Sequence, residues 1–86
     1  ILPDIPYLYF DLGNLHCLSS NMVEAIDNYD MALKLYPDMG EAHFNRGLVL
    51  IYLKDREKGC IDLSRAGELG IADAYSVISK YCDRDE

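Results

Sequence analysis

Hydrophobic residues recur along this chain at steps of three and four residues, the spacing of one face of an α-helix. Leu8, Leu12 and Leu15 follow this spacing, and a second apolar face follows within residues 22–35. The members of that second face are Val23, Ile26, Tyr29, Ala32 and Leu33. No stretch alternates apolar and polar residues over the length of a strand. The pattern therefore predicts an all-α chain with helices near residues 5–18, 21–35, 39–53, 55–69 and 72–82.

Residues typical of helix ends flank these segments. Asn21 with Glu24, and Asp38 with Glu41, have the three-residue spacing of a capping box, with Asn or Asp at the position that Ser or Thr usually takes. Each pair would satisfy free backbone N–H groups at the start of a helix. A further N-cap and a C-terminal stop are predicted at Asp55 and Gly70.

The chain also matches itself at an offset of 34 residues. Gly13 falls on Gly47 and Ala32 on Ala66, and small residues inside helical patterns usually mark places where two helices approach closely. The other identities at this offset are Pro3 with Pro37, Asp4 with Asp38, Phe10 with Phe44 and Leu35 with Leu69. Two similar units of two helices each are therefore expected.

Residues 6–39 resemble a tetratricopeptide repeat, whose pattern of aromatic, Leu-Gly, small and Pro positions they follow. The matching residues are Tyr9, Leu12, Gly13, Ala25, Tyr29, Ala32 and Pro37, with His16 where Tyr is usual. A weaker copy over residues 40–71 is carried by Gly47, Leu50, Gly59, Leu63 and Ala66. It departs from the pattern at Arg46, where Leu is usual, and at Ile71, where Pro is usual.

This resemblance implies a right-handed α-solenoid segment made of antiparallel helix hairpins. We expect one domain over residues 1–86, with repeat one at 4–37, repeat two at 38–71 and a cap helix at 72–82. The last junction, within residues 64–74, is shorter than the first and resembles those of Sel-like repeats. Pro3 lies 34 residues before Pro37, so the chain is expected to be a piece of a longer array.

Composition narrows the class of partner. Half of the residues are hydrophobic and 27% are charged, which is typical of a globular domain. The formal net charge of −7 argues against a nucleic-acid partner, which would need a basic face. No apolar run approaches the length of a membrane span. Residues 1–33 contain acidic residues but no Lys or Arg, and the simplest interpretation is that these acids lie on solvated helix faces.

No catalytic motif is present in the sequence. There is no phosphate-binding glycine loop, no metalloprotease helix motif and no nucleophile elbow. His16 and His43 occupy positions where the resembled repeat packs a large side chain, so a structural role is expected for both. We therefore expect a protein that is not an enzyme and that uses no cofactor and no metal.

The three cysteines leave two alternatives open. Their odd number argues against a complete disulfide framework, and buried, separate thiols are the favoured interpretation. If the last two helices are antiparallel, however, Cys60 and Cys82 would lie at similar heights, where an oxidising compartment could join them.

The resemblance also implies a binding surface, because the first helix of each repeat lines the concave side of such an array. The predicted peptide-binding residues are Tyr7, Phe10, Asn14, Phe44, Asn45, Leu48, Ile51 and Tyr52, with Asp11, Cys17 and Glu41 on the same side. Asn14 and Asn45 match two asparagines of a carboxylate clamp known in this family, but the basic residues of that clamp are absent. An apolar or helical segment of a protein is therefore the expected ligand. The alternative is that these residues are exposed because neighbouring repeats would cover them.

These observations predict a protein–protein interaction scaffold. Two alternatives remain: self-association into a homodimer, and an accessory domain of a larger enzyme or secretion assembly. The sequence does not determine the compartment, although the cytoplasm is slightly favoured over the periplasm.

Overall fold

A computed structural model describes residues 4–83 of the chain, and all regular secondary structure in this range is helical. The five helices are α1 (Ile5–Leu18), α2 (Met22–Leu35), α3 (Gly40–Tyr52), α4 (Arg56–Glu68) and α5 (Asp73–Tyr81). The all-α prediction is confirmed, and each predicted helix end lies within one residue of the observed one. Pro3, which carries one of the sequence identities, lies outside the described residues.

The helices form two antiparallel hairpins and a final helix. α1 packs mainly against α2, and α3 packs mainly against α4. α2 joins the two hairpins by packing against α3, and α5 packs on α4. The order of contacts therefore follows the order of the chain, as in a helical-repeat fold.

The turns within the two hairpins have the same geometry at the same 34-residue offset. Ser20 has a φ of 63° and Lys54 has a φ of 72°, the left-handed conformation that ends many helices. The backbone N–H after each of them reaches back five residues, from Asn21 to the His16 carbonyl and from Asp55 to the Leu50 carbonyl, at 2.8 Å in both cases. The sequence repeat is therefore also a repeat of backbone conformation.

Two clusters of buried residues lie between α2 and the helices on either side of it. Val49 packs with Ala25 and Tyr29 in one cluster. Ala42 belongs to a second, neighbouring cluster. Phe10 lies against both clusters and joins them. The other buried residues of the cluster that contains Ala42 are Ala32, Leu33 and Met39.

Helices α3 and α4 cross where two glycines meet. A Cβ atom added at Gly47 would lie 3.0 Å from the Gly59 carbonyl oxygen, and one added at Gly59 would lie 2.9 Å from the Gly47 carbonyl oxygen. A backbone carbonyl oxygen obstructs both positions, and it cannot move without its helix. The predicted role of Gly47 as a point of close helix approach is confirmed.

The helix-end predictions are confirmed in part. The Asp55 carboxylate accepts a hydrogen bond from the Lys58 N–H at 3.4 Å, and Gly70 has a φ of 99°. Neither predicted capping box forms. Asn21 makes no capping bond through its side chain, and the N-cap position of α3 is held by Met39, not Asp38, also without a side-chain bond. The Asp38 carboxylate instead forms an ion pair with the Arg65 guanidinium, with an N–O distance of 2.9 Å.

The favoured interpretation of the cysteines as separate thiols is wrong. Cys60 of α4 and Cys82, directly after α5, form a disulfide across a Cα–Cα distance of 5.8 Å. The turn at Gly70 makes α4 and α5 antiparallel, and their rotation brings the two Cβ atoms together, which the sequence spacing alone did not determine. Cys17 is the remaining free thiol.

Candidate functional site

A groove runs along the side of the molecule formed by α1 and α3. Its first part has a volume of about 320 Å³ and lies between the C-terminal half of α1 and the middle of α3. Most of its lining is apolar, with two asparagines and a thiol as the exceptions. The lining residues are Asn14, Cys17, Leu18, Tyr29, Asn45, Leu48 and Val49.

The second part of the groove continues toward the C-terminal end of the molecule. It has a volume of about 640 Å³ and is lined by residues of α3 and α5 and by the turn between α3 and α4. Leu48 lines both parts, so they adjoin at this side chain. The remaining lining residues of this part are Ile51, Tyr52, Lys54 and Tyr81. We call the two parts together the groove.

A hydrogen-bonded chain of polar side chains forms one wall of the groove. The buried Tyr29 hydroxyl donates to Asn14 Oδ1, and Asn45 Nδ2 donates to the same oxygen at 2.9 Å. Cys17 Sγ lies 3.5 Å from the Tyr29 oxygen. Burial raises the pKa of Tyr29, and the hydrogen bond with Cys17 raises it further, so the hydroxyl keeps its proton.

This arrangement leaves both donor and acceptor groups of the two asparagine amides for a ligand. Within residues 4–83, the Asn14 amide nitrogen and the Asn45 amide oxygen have no hydrogen-bond partner. Both asparagines line the groove, and their mutual bond fixes them side by side. A donor next to an acceptor is the complement of a peptide main chain, which presents both groups.

The structure brings together five of the eight predicted site residues and separates the other three. Asn14, Asn45, Leu48, Ile51 and Tyr52 all line the groove.

The other three lie apart from both parts of the groove. The Tyr7 ring lies 6.2 Å from the Tyr36 ring, near the start of α1. Phe10 packs into the core with its ring 6.0 Å from that of Tyr29, and Phe44 is partly buried and lines neither part.

Sequence reasoning missed Lys54 and Tyr81 as groove residues. Tyr81 lies at the end of α5, and it reaches α3 only because α5 folds back along α4. Cys82, the next residue, is tied to Cys60, and the Arg56 guanidinium donates to the Tyr81 carbonyl at 2.9 Å. No local sequence signal marks such a long-range placement.

A second hollow, of about 350 Å³, lies on α2, α3 and α4, and an ion cluster forms part of its lining. Arg46 donates to both oxygens of Asp62, at 2.7 and 2.8 Å, and to Asp30 at 2.8 Å. The hydrogen bonds with Asp62 raise the pKa of the Arg46 guanidinium, so this cation stays charged. Since these charges are already paired, the cluster serves the fold rather than a ligand.

His43 completes the ion cluster. Its Nδ1 lies 3.1 Å from Asp62 Oδ1, and its Nε2 lies 2.8 Å from the Pro37 carbonyl oxygen. Both neighbours are hydrogen-bond acceptors, so each ring nitrogen of His43 faces an oxygen of the fold. The structure thus gives His43 bonding partners inside the fold, in line with the structural role predicted for it.

The described part of the chain holds neither a metal cluster nor a membrane-spanning helix. Residues 4–83 contain no group of three or more His, Cys, Asp or Glu side chains placed to share a metal ion. None of the helices in this range combines the length and the apolarity needed to cross a membrane. Comparison of the sequence with protein-family models and with curated proteins finds no match.

Proposed function

We propose that this chain is a protein-interaction module of the tetratricopeptide type that binds a peptide segment of a partner protein in the groove. The observation that carries the proposal is the combination of an open, mostly apolar groove with a fixed pair of asparagine amides in its wall. The repeated turn geometry and the close approach of Gly47 to Gly59 support the tetratricopeptide type of repeat. The function follows from this surface rather than from the fold alone.

The apolar lining favours an apolar ligand. Leu18 and Tyr52 are among the most exposed large hydrophobic residues of the described chain, at 84% and 68%, and both line the groove. Removing such surface from water contributes about 25 cal/mol for each Å² buried. Tyrosine also adds contact area at a low cost in side-chain entropy, which is why it is frequent in binding hot spots.

The amide pair favours a ligand that presents its main chain. An extended peptide has free N–H and C=O groups, whereas a helical peptide has bonded most of its own. Asn14 and Asn45 can therefore bond an extended peptide while its side chains contact Leu48 and Tyr52. A helical ligand would use the apolar lining alone.

The disulfide supports an oxidising compartment as the place where the module works. Disulfides persist mainly in oxidising compartments and are rare where thiol reductants are abundant. The Cys60–Cys82 link therefore favours the periplasm or a similar compartment, against the slight preference for the cytoplasm drawn from the sequence.

Selection from a random peptide library displayed on phage tests the proposal. We expect peptides rich in apolar residues to be enriched on the immobilised chain and to bind it saturably in solution. Leu48→Ser should weaken the binding of a selected peptide by about tenfold, because Leu48 lines both parts of the groove. Val23→Ser is the matched control, since Val23 is 64% exposed on α2 and lines neither part.

Two further measurements define the binding mode. Asn45→Ala should weaken an extended peptide but leave a helical one unchanged, because only the extended chain uses the amide pair. Cys17 is the one thiol outside the disulfide, and a peptide seated in the groove should slow its alkylation. A selected peptide that binds equally to Leu48→Ser and to the unchanged chain, and that leaves Cys17 alkylation unaffected, would contradict the proposal.

A further inference from the structure

The second part of the groove carries positive charge. Lys54 is exposed and belongs to its lining. The Lys80 ammonium lies 5.3 Å from the centre of the Tyr81 ring, which also belongs to the lining. Within residues 4–83, neither ammonium group forms an ion pair with a carboxylate of the chain. Two cations therefore adjoin one mostly apolar surface.

This local charge has the opposite sign to that of the whole chain, whose formal net charge is −7. The residues that line the first part of the groove are all uncharged. Helix α1, which forms one side of that part, contains Asp11 and neither Lys nor Arg. The groove therefore differs in charge along its length, with its cations at the α5 end.

The turn that carries Lys54 is fixed on both sides of this residue. The Lys54 N–H donates to the Ile51 carbonyl at 3.0 Å, and the Asp55 N–H donates to the Leu50 carbonyl at 2.8 Å. The turn itself does not require a lysine. Lys54 has a φ of 72°, a conformation that glycine adopts most readily, and the equivalent turn of the first hairpin has Ser20 at this position.

The end of α5 is held beside α4 at two points. The Arg56 guanidinium donates to the Tyr81 carbonyl at 2.9 Å, and the next residue, Cys82, is bonded to Cys60. These links fix the position of Tyr81 and of its neighbour Lys80 at the end of the groove. The site is therefore formed before a ligand arrives, which lowers the cost of binding.

From this placement we propose that the second part of the groove selects one acidic residue of the bound peptide. It takes a large apolar side chain and, directly beside it, the carboxylate of an Asp or Glu. Leu48, Ile51 and Tyr52 provide the apolar surface, and the two lysines provide the charge. The inference rests on the proposed function, because it names the kind of peptide that the groove binds. We call Lys54, Lys80 and this apolar surface the lysine subsite.

The charge of the rest of the molecule limits the ligand to a single carboxylate at one end. Acidic residues nearer to α1 would gain no cation there and would meet the negative field of the chain. An extended peptide is therefore held in one direction, with its acidic residue at the α5 end. Its uncharged residues then lie toward Asn14 and Asn45, whose amides bond the main chain.

Parallel selections from the random phage library test the subsite. One selection uses the unchanged chain and one uses the variant Lys54→Gln, Lys80→Gln. The matched control is Lys34→Gln, Lys58→Gln, which removes the same charge from exposed lysines that line neither part of the groove. A single Asp or Glu beside a large apolar residue should be enriched on the unchanged chain and on the control, and not on the subsite variant.

Affinities of one selected peptide then measure the effect. The peptide is synthesised with both ends blocked, so that no terminal carboxylate contributes, and its binding is followed by fluorescence anisotropy. Replacing its acidic residue by the amide should weaken binding to the unchanged chain by about fivefold, and less at high salt. The same replacement should have no effect on the subsite variant. Lys54→Glu should instead prefer the peptide with Lys in place of its acidic residue.

Three outcomes would overturn the inference. They are a selection with no acidic preference, an amide peptide that loses equally on the unchanged chain and on the subsite variant, and an equal effect of the control variant. Any of these, found with a peptide that Leu48→Ser weakens, would refute the subsite and leave peptide binding in the groove intact. Absence of saturable binding by every selected peptide would refute both proposals.

Discussion

Arg46 shows at the scale of one residue why the second repeat follows the tetratricopeptide pattern less closely than the first. Leu is usual at this position, yet here an arginine is bonded to Asp62, which is 5% exposed, and to Asp30. A buried carboxylate is tolerated only when its hydrogen bonds are made. Arg46 and His43 make them, so the three side chains depend on one another.

Arg46→Leu should therefore destabilise the fold although it restores the usual residue. It leaves Asp62 buried with one partner fewer, and we expect a loss of about 3 kcal/mol in the free energy of unfolding. The double variant Arg46→Leu, Asp62→Leu removes the unpaired charge and should recover most of the loss. Urea denaturation of both variants measures the effect.

The control is the exposed pair of Arg65 and Asp38, which is also an arginine–aspartate contact. Arg65→Leu should cost less than about 1 kcal/mol, because water solvates both groups when they part. Equal costs for Arg46→Leu and Arg65→Leu would contradict the importance assigned to the buried cluster.

At the scale of helices, the close approach of α3 and α4 depends on Gly47 and Gly59. Alanine normally stabilises a helix interior over glycine by about 1 kcal/mol. Gly47→Ala should instead destabilise by about 1–3 kcal/mol, because its Cβ would lie 3.0 Å from the Gly59 carbonyl oxygen, which cannot move without the helix.

Gly67 provides the matched control within the same hairpin. A Cβ added there would meet the end of the Tyr75 ring, 2.7 Å from its Cζ atom, and this exposed side chain can swing away. Gly67→Ala should therefore be neutral or stabilising in the same denaturation experiment. Two variants that change stability in the same direction would contradict the assigned crossing.

The disulfide makes α5 dependent on redox conditions. The cysteines are separated by 22 residues, and a loop of this size corresponds to about 3 kcal/mol of stabilisation through the entropy of the unfolded chain. Reduction should lower the denaturation midpoint and speed hydrogen exchange in α5. Cys17→Ser should respond to reductant in the same way as the unchanged chain, and Cys82→Ser should not respond. A midpoint that is independent of reductant would show that the link is not formed in solution.

The helices were predictable because their signals are local. The recurrence of Leu8, Leu12 and Leu15 defines a face, and the offset that matches Gly13 with Gly47 defines a repeat. The capping box at Asp38 does not form, because the Asp38 carboxylate bonds to Arg65, 27 residues away. The disulfide could be raised only as an alternative, since it depends on the relative rotation of two helices.

At the scale of the whole molecule, the groove combines residues from α1, α2, α3, α5 and the turn after α3. The asparagines and Leu48 could be predicted from their positions in the repeat, whereas Lys54 and Tyr81 depend on the packing of α5. Phe10 shows the converse: an aromatic residue on the predicted face turned inward because it fills the space between two core clusters. Pattern alone does not distinguish a residue that binds a ligand from one that joins two clusters.

The central claim is that this groove binds a peptide, and mapping amide chemical shifts by NMR tests it most directly. The isotope-labelled chain is titrated with a peptide selected from the library. We predict saturable shift changes centred on Asn14, Asn45, Leu48 and Tyr52, with residues on the outer face of α2 unchanged. Shift changes confined to residues outside the groove, or no saturable change with any selected peptide, would contradict the claim.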